Sequence, residues 1–199
     1  MTDRARIGSV LAVAVAVGSA LLAGCGSGGA APGAGGMAGL VNFELGPQYS
    51  HWLVGPVARM ASPEEIQGYL GVTGDFAALD FVEAFWARRD PDPQARGNPV
   101  REAFESRVGE ADRLYGEAGS LGRRTPRGTL YVLHGAPATV EFEIAPEGGE
   151  PIEVWRYPAA APPGLDGRTP ERLYWFRKQG ELTRPYLPGA RRPVRSIGG

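Results

Sequence analysis

Apolar residues recur along this chain with two different spacings, and the change between them divides the folded part. Residues 41–59 hold scattered aromatics, Phe43, Tyr49 and Trp52, broken by Gly46-Pro47 and Gly55-Pro56, which predicts an irregular lead-in. Ser62-Pro63-Glu64-Glu65 then predicts a short helix. The Ser62 side chain accepts from the N–H three residues on, proline is free of cost at the first helical position, and Glu65 closes a capping box. A second helix is predicted over 75–89, where Phe76, Leu79, Val82, Phe85 and Trp86 form a buried stripe at three- and four-residue steps. Arg88 and Arg89 suit the negative end of its dipole, and Asp90-Pro91-Asp92-Pro93 ends it.

Asn98-Pro99 opens a third helix. Val100, Phe104, Val108, Ala111 and Tyr115 line one face, and Arg101/Glu105 and Arg107/Glu110 are placed to pair along its surface. From Gly128 the period becomes 2. Residues 129–134 are rich in β-formers, 139–144 alternate Val140, Phe142 and Ile144 with Glu141 and Glu143 as a half-buried strand, and 152–157 and 172–178 follow, the last turning at Gln179-Gly180 towards 181–186. Short polar connections make these strands antiparallel. The expected fold class is α+β: about three N-terminal helices packed with a small antiparallel sheet of about four strands.

The N-terminus carries a different signal. Arg4 and Arg6 precede an apolar run over 7–22, and Leu22-Ala23-Gly24-Cys25 follows. The run is short for a spanning helix, which needs roughly 20 residues for about 30 Å of hydrocarbon. The pattern resembles the signal peptide and lipobox of bacterial lipoproteins. It implies transfer of a diacylglyceryl group to the Cys25 thiol, cleavage before Cys25, which becomes the acylated first residue carrying palmitate-type chains, and anchorage in the cell envelope; Gly26 resembles the pattern sent to the outer membrane. The expected organisation is a signal peptide over 1–24, a lipidated cysteine and Gly/Ala-rich tether over 25–40, one domain over 41–187 and a disordered tail over 188–199 that includes Arg191, Arg192 and Arg195. Gly24-x-Gly26-x-x-Gly29 matches a dinucleotide fingerprint on spacing alone, without the strand and helix that give the motif meaning.

Composition narrows the function. With 21 basic and 22 acidic residues there is no single-sign field for nucleic acid. Lys178 is the only lysine, so arginine-rich spots reflect a general bias. The single cysteine excludes an internal disulfide and a cysteine-based zinc site, and no histidine or aspartate spacing marks another metal site or a cofactor.

In their order along the chain, Ser62-Pro63-Glu64-Glu65, Phe81-Val82-Glu83-Ala84-Phe85-Trp86-Ala87-Arg88-Arg89-Asp90-Pro91, Ala111-Asp112-Arg113-Leu114-Tyr115, Tyr131-Val132-Leu133-His134-Gly135-Ala136-Pro137 and Glu153-Val154-Trp155-Arg156-Tyr157 resemble the GWxTD domain of bacterial envelope proteins. The motif that names that family stands here as Gly122-Arg123-Arg124-Thr125-Pro126, with Arg123 in place of Trp and Pro126 in place of Asp. The resemblance implies architecture and brings no chemistry with it.

Candidate chemistry is sparse. Only His51 and His134 are available for proton transfer, and His134 is the better placed, before a glycine turn. Asp90 and Asp92, two apart in an extended segment, put both carboxylates on one side, where they can do acid–base work or serve as turn residues. Arg88, Arg89 and Asp90 are either an ion pair closing the helix end onto the third helix or the sheet, or a recognition surface for an acidic partner. Trp86, Trp155 and Trp175 are further candidates for an interaction surface. The leading expectation is a non-enzymatic, lipid-anchored envelope protein, either an interaction module that contacts another envelope protein or a structural module with no specific ligand. The alternative is an envelope hydrolase or ligand-binding protein using His134 with Asp90 or Asp92.

Overall fold

The structure, a computed structural model, describes residues 38–145 and 148–188. The expected signal peptide, Cys25, the part of the expected tether up to residue 37, and Arg191, Arg192 and Arg195 lie outside these residues. The described residues form a mixed α+β fold, with five α-helices and a four-stranded antiparallel sheet. The helices are α1 (Val57–Met60), α2 (Pro63–Leu70), α3 (Asp75–Ala87), α4 (Pro99–Tyr115) and α5 (Pro126–His134). The sheet runs in chain order through β1 (Thr139–Glu143), β2 (Ile152–Arg156), β3 (Leu173–Gln179) and β4 (Leu182–Pro185).

Three helices start in the same way, with a polar cap followed by proline. Ser62 and Glu65 close the capping box of α2, each side chain accepting from the other's backbone N–H. The Asn98 side chain accepts from the N–H groups of Val100 and Arg101 at the start of α4. Thr125 does the same for α5, accepting from Gly128 N. Thr125 is extended, as a residue before proline must be, and that is the backbone an N-cap requires.

Helix α5 corrects the strand expected over 129–134. Its Val132 and Leu133 join the helical core while Leu130 and Tyr131 pack towards the sheet, so the segment is apolar on two opposed sides. A short apolar run of that kind has no period that separates helix from buried strand. The cap and proline at its start decide for helix.

The helical core centres on Leu53, Tyr69, Phe85 and Val132, all fully buried. An aromatic row through Trp52, Phe85, Trp86 and Phe104 links the lead-in to α3 and α4, with ring centroids 4.9–5.1 Å apart. The buried side of α3 is Ala78, Val82, Phe85 and Trp86. Phe76, expected in that stripe, is 90% exposed, and Leu79 is partly so, because both lie to the side of the 78–82–85 line. On α4 the Arg101–Glu105 pair forms, but Arg107 donates to the carbonyls of Val132 and Leu133, and Glu110 accepts from the Tyr131 hydroxyl. A guanidinium on the last carbonyls of α5 satisfies groups that a helix end leaves open.

One sheet face, carrying Trp155, Tyr157, Tyr174 and Phe176, packs under Tyr115 of α4 and Leu130 and Tyr131 of α5. The other bears a smaller cluster of Ile152, Val154, Leu173, Trp175 and Tyr186. Strand β1 is not the half-buried strand its alternation predicts: all five of its residues are exposed. It is an outer strand, and no helix among the described residues covers it, so alternation there does not produce burial.

Candidate functional site

Arg88 and Arg89 converge on one carboxylate, Glu65. Its Oε1 accepts from both guanidiniums, and its Oε2 accepts from Arg89 at 2.6 Å and from Ser62 N. Arg89 also donates to the carbonyls of Met60 and Phe85 and lies 3.5 Å from the Phe85 ring centre. The Arg89 hydrogen bond, with help from Ser62 N–H and Arg88 and against partial burial, lowers the Glu65 pKa to about 2. The arginines therefore close the end of α3 onto the start of α2, not onto the third helix or the sheet. Asp90 takes no part. Its Oδ1 accepts from Asp92 N, and Asp92 Oδ1 from Gln94 N, two successive Asx turns that redirect the chain towards Asn98.

His134 is the last residue of α5 and is half-buried. Its ring meets Tyr157 edge-on at 6.2 Å, and the chain at Gly164 packs so closely on Nδ1 that a Cβ there would overlap it. Nδ1 is buried without a hydrogen-bond partner. Burial pushes the pKa of the imidazole below its ordinary value; the Asp166 carboxylate acts the other way, and Arg107 adds to the lowering. No hydrogen bond or electrostatic contact joins His134 to Asp90 or Asp92. The ring should titrate below 6.5 in an NMR pH series, and a neutral imidazole in the fold against a protonatable one in the unfolded chain means stability is lost as pH falls through that range. A titration at or above 6.5 would contradict this packing. The other histidine, His51, is exposed, with Ser50 Oγ 2.8 Å from Nδ1, and no carboxylate orients it.

The described residues contain no group of three or more His, Cys, Asp or Glu side chains that could hold a metal ion, and no helix among them is long and apolar enough to cross a membrane. Trp86 and Trp155 are buried core residues and so present no surface; Trp175 is partly exposed on the sheet face away from the helices.

One cleft falls outside the residues that sequence reasoning singled out. A cleft of about 440 Å³ lies where the loop after α4 meets α5 and the sheet, lined by Glu117, Arg127, Phe142, Glu150, Glu153 and Thr183 among others. Arg127 donates to Glu153 at 2.9 Å and to Glu117 at 3.2 Å. Glu117 also accepts from Thr183 N, and Glu153 from the Trp155 indole N–H at 2.6 Å. One guanidinium thus ties α5 to the α4 loop, β2 and β4. The partners are far apart in sequence, so no local spacing announces them. One signal was available: Glu153 shares a strand face with Trp155 and Tyr157, and a carboxylate on an aromatic, covered face needs a cation. Counting the network, four glutamates line the cleft against one arginine and one lysine, leaving two negative charges in excess.

Comparison with family models, curated proteins and solved structures finds no match to this chain.

Proposed function

We propose that this protein is a lipid-anchored bacterial envelope protein whose α+β domain, similar to the GWxTD type, is a non-enzymatic protein-interaction module. The observation that carries the reading is β1. It is an outer strand exposed along its whole length, with Val140 47% and Phe142 68% exposed on one face and Ile144, the residue just after the strand, 91% exposed. Such a row beside unpaired backbone is a template for another chain. The charged residues that an active site would use are engaged elsewhere: Arg88 and Arg89 on Glu65, Arg127 between two glutamates, and the two aspartates in turns. His134 is packed against Gly164 and Tyr157 with no proton acceptor beside Nδ1. The anchor rests on Leu22-Ala23-Gly24-Cys25.

Two measurements test the proposal in cells. Cys25→Ser should abolish lipid labelling and release the protein from membranes; a variant that still sediments with membrane after carbonate washing contradicts the anchor. A photo-crosslinking side chain at position 142 should capture a discrete envelope protein that the same group at exposed position 80 on α3 does not. Equal capture at both positions, or none at 142, overturns the interaction reading.

A further inference from the structure

The chemistry of β1 narrows the partner. Between Arg127 and Arg156 the chain has five glutamates and no lysine or arginine. Two of them, Glu141 and Glu143, alternate with the apolar row. Pairing with β2 sets Val140 and Phe142 opposite Trp155 and Glu153 on the helix-covered face, and Glu141 and Glu143 opposite Val154 and Ile152 on the other. Glu141 pairs with Arg156 at 3.0 Å, while Glu143 has no ion pair among the described residues. The strand therefore offers an apolar row on one face, an acidic row on the other, and an outer backbone edge with no strand beside it among the described residues.

We infer that β1 receives an extended segment of another protein, in which lysine or arginine alternates with apolar residues, as a fifth strand of the sheet. The inference rests on the interaction-module reading and specifies the partner's chemistry. In an added strand, side chains directly opposite one another share a face. Apolar residues of the segment then cover Val140, Phe142 and Ile144, its basic residues stand beside Glu141 and Glu143, and its backbone completes the ladder. The acidic cleft bordered by Phe142 lies next to the apolar row and draws the same cationic segment. A second copy of this chain fits poorly. The antiparallel register that aligns two apolar rows sets Glu141 against Glu143 of the other copy, and like charges directly opposite repel. The two glutamates thus disfavour self-pairing, and Glu143, which has no ion pair among the described residues, favours a basic partner.

The test uses the full chain purified in detergent and a fluorescent synthetic peptide of alternating lysine and valine, read by anisotropy. Saturable binding is expected. It should weaken about tenfold or more for the glutamate–valine counterpart, for the lysine–valine peptide N-methylated at alternate residues, and with F142E or I144E. Both variants should melt like the wild type, since these side chains are exposed. Equal binding of the N-methylated peptide, or undiminished binding to both variants, would mean simple charge adsorption and overturn strand addition. A wild-type dimer in sedimentation that F142E dissolves would make a second copy the occupant and overturn the basic partner. Failure of the lysine–valine peptide alongside specific capture at position 142 in cells ends this inference and leaves the interaction module standing; absence of capture at 142 removes the module itself.

Discussion

Gly128→Ala should lower stability by about 3 kcal/mol or more, a fall in melting temperature of about 10 °C for a domain of this size. The reason is backbone contact. A Cβ at Gly128 would overlap the Gly122 carbonyl, and a Cβ at Gly122 would overlap the Ala111 carbonyl on α4. The single turn at Gly122–Arg124 is thus wedged between α4 and α5. Backbone atoms on both sides leave no flexible side chain to give way, so relief must come from parting the helices. Thr125 locks the same junction, donating its hydroxyl to Gly122 O while accepting from Gly128 N. Arg123 holds it from outside by its backbone and side-chain bonds to Asp112. Gly109→Ala is the control: it lies exposed on α4 with open space at its Cβ and should stabilise by up to about 1 kcal/mol. Thermal melts of the variants decide the matter, and a Gly128→Ala protein that melts with the wild type would show that the junction yields.

Arg89→Ala is the second large effect, with an expected loss of about 3 kcal/mol. It leaves Glu65, only 16% exposed, with Arg88 and Ser62 N–H as its remaining donors, and removes the donor to the Met60 and Phe85 carbonyls. The same pair sets an acid dependence. The folded Glu65 pKa is about 2 against 4.5 for the free side chain, so the unfolded chain binds the proton more readily. The stabilisation is complete above about pH 4.5 and disappears as pH falls towards about 2, an amount on the order of 2 kcal/mol after allowance for solvent screening. Glu65→Gln should flatten the melting curve against pH over that interval. Parallel curves for wild type and Glu65→Gln would remove the pair from acid unfolding. Because Arg88 and Arg89 both spend their charge here, substitutions at either are expected to act first on stability.

These two junctions show unequal legibility. The Glu65 capping box was readable because its donors and acceptors lie within one helical turn. The same local logic placed the Asn98 cap, the end of α3 at the arginines, and the turns at Asp90 and Asp92. That Arg88 and Arg89 reach 23 and 24 residues back to Glu65 was not readable, since nothing near either residue names the other. The Arg127 network is more distant still, its contacts crossing from α5 to the α4 loop and β2, with β4 joined through Glu117. Thr125-Pro126 repeats the signal of Ser62-Pro63 and Asn98-Pro99, and the β-forming residues after it outweighed that signal in the sequence reading.

Local chemistry in the sequence determined the α+β class, three of the helix starts, and strands at 139–143, 152–156, 173–179 and 182–185 to within a residue or two, because caps, periods and turns act over a few neighbouring residues. Tertiary structure alone decided which apolar residues are covered. Phe76 and the β1 row alternate as core residues do and yet face outward, because burial needs a second element above the stripe and no described element stands over either. The position of β1 at the sheet edge, with no helix among the described residues above it, turns an ordinary amphipathic pattern into the surface on which the proposed function rests.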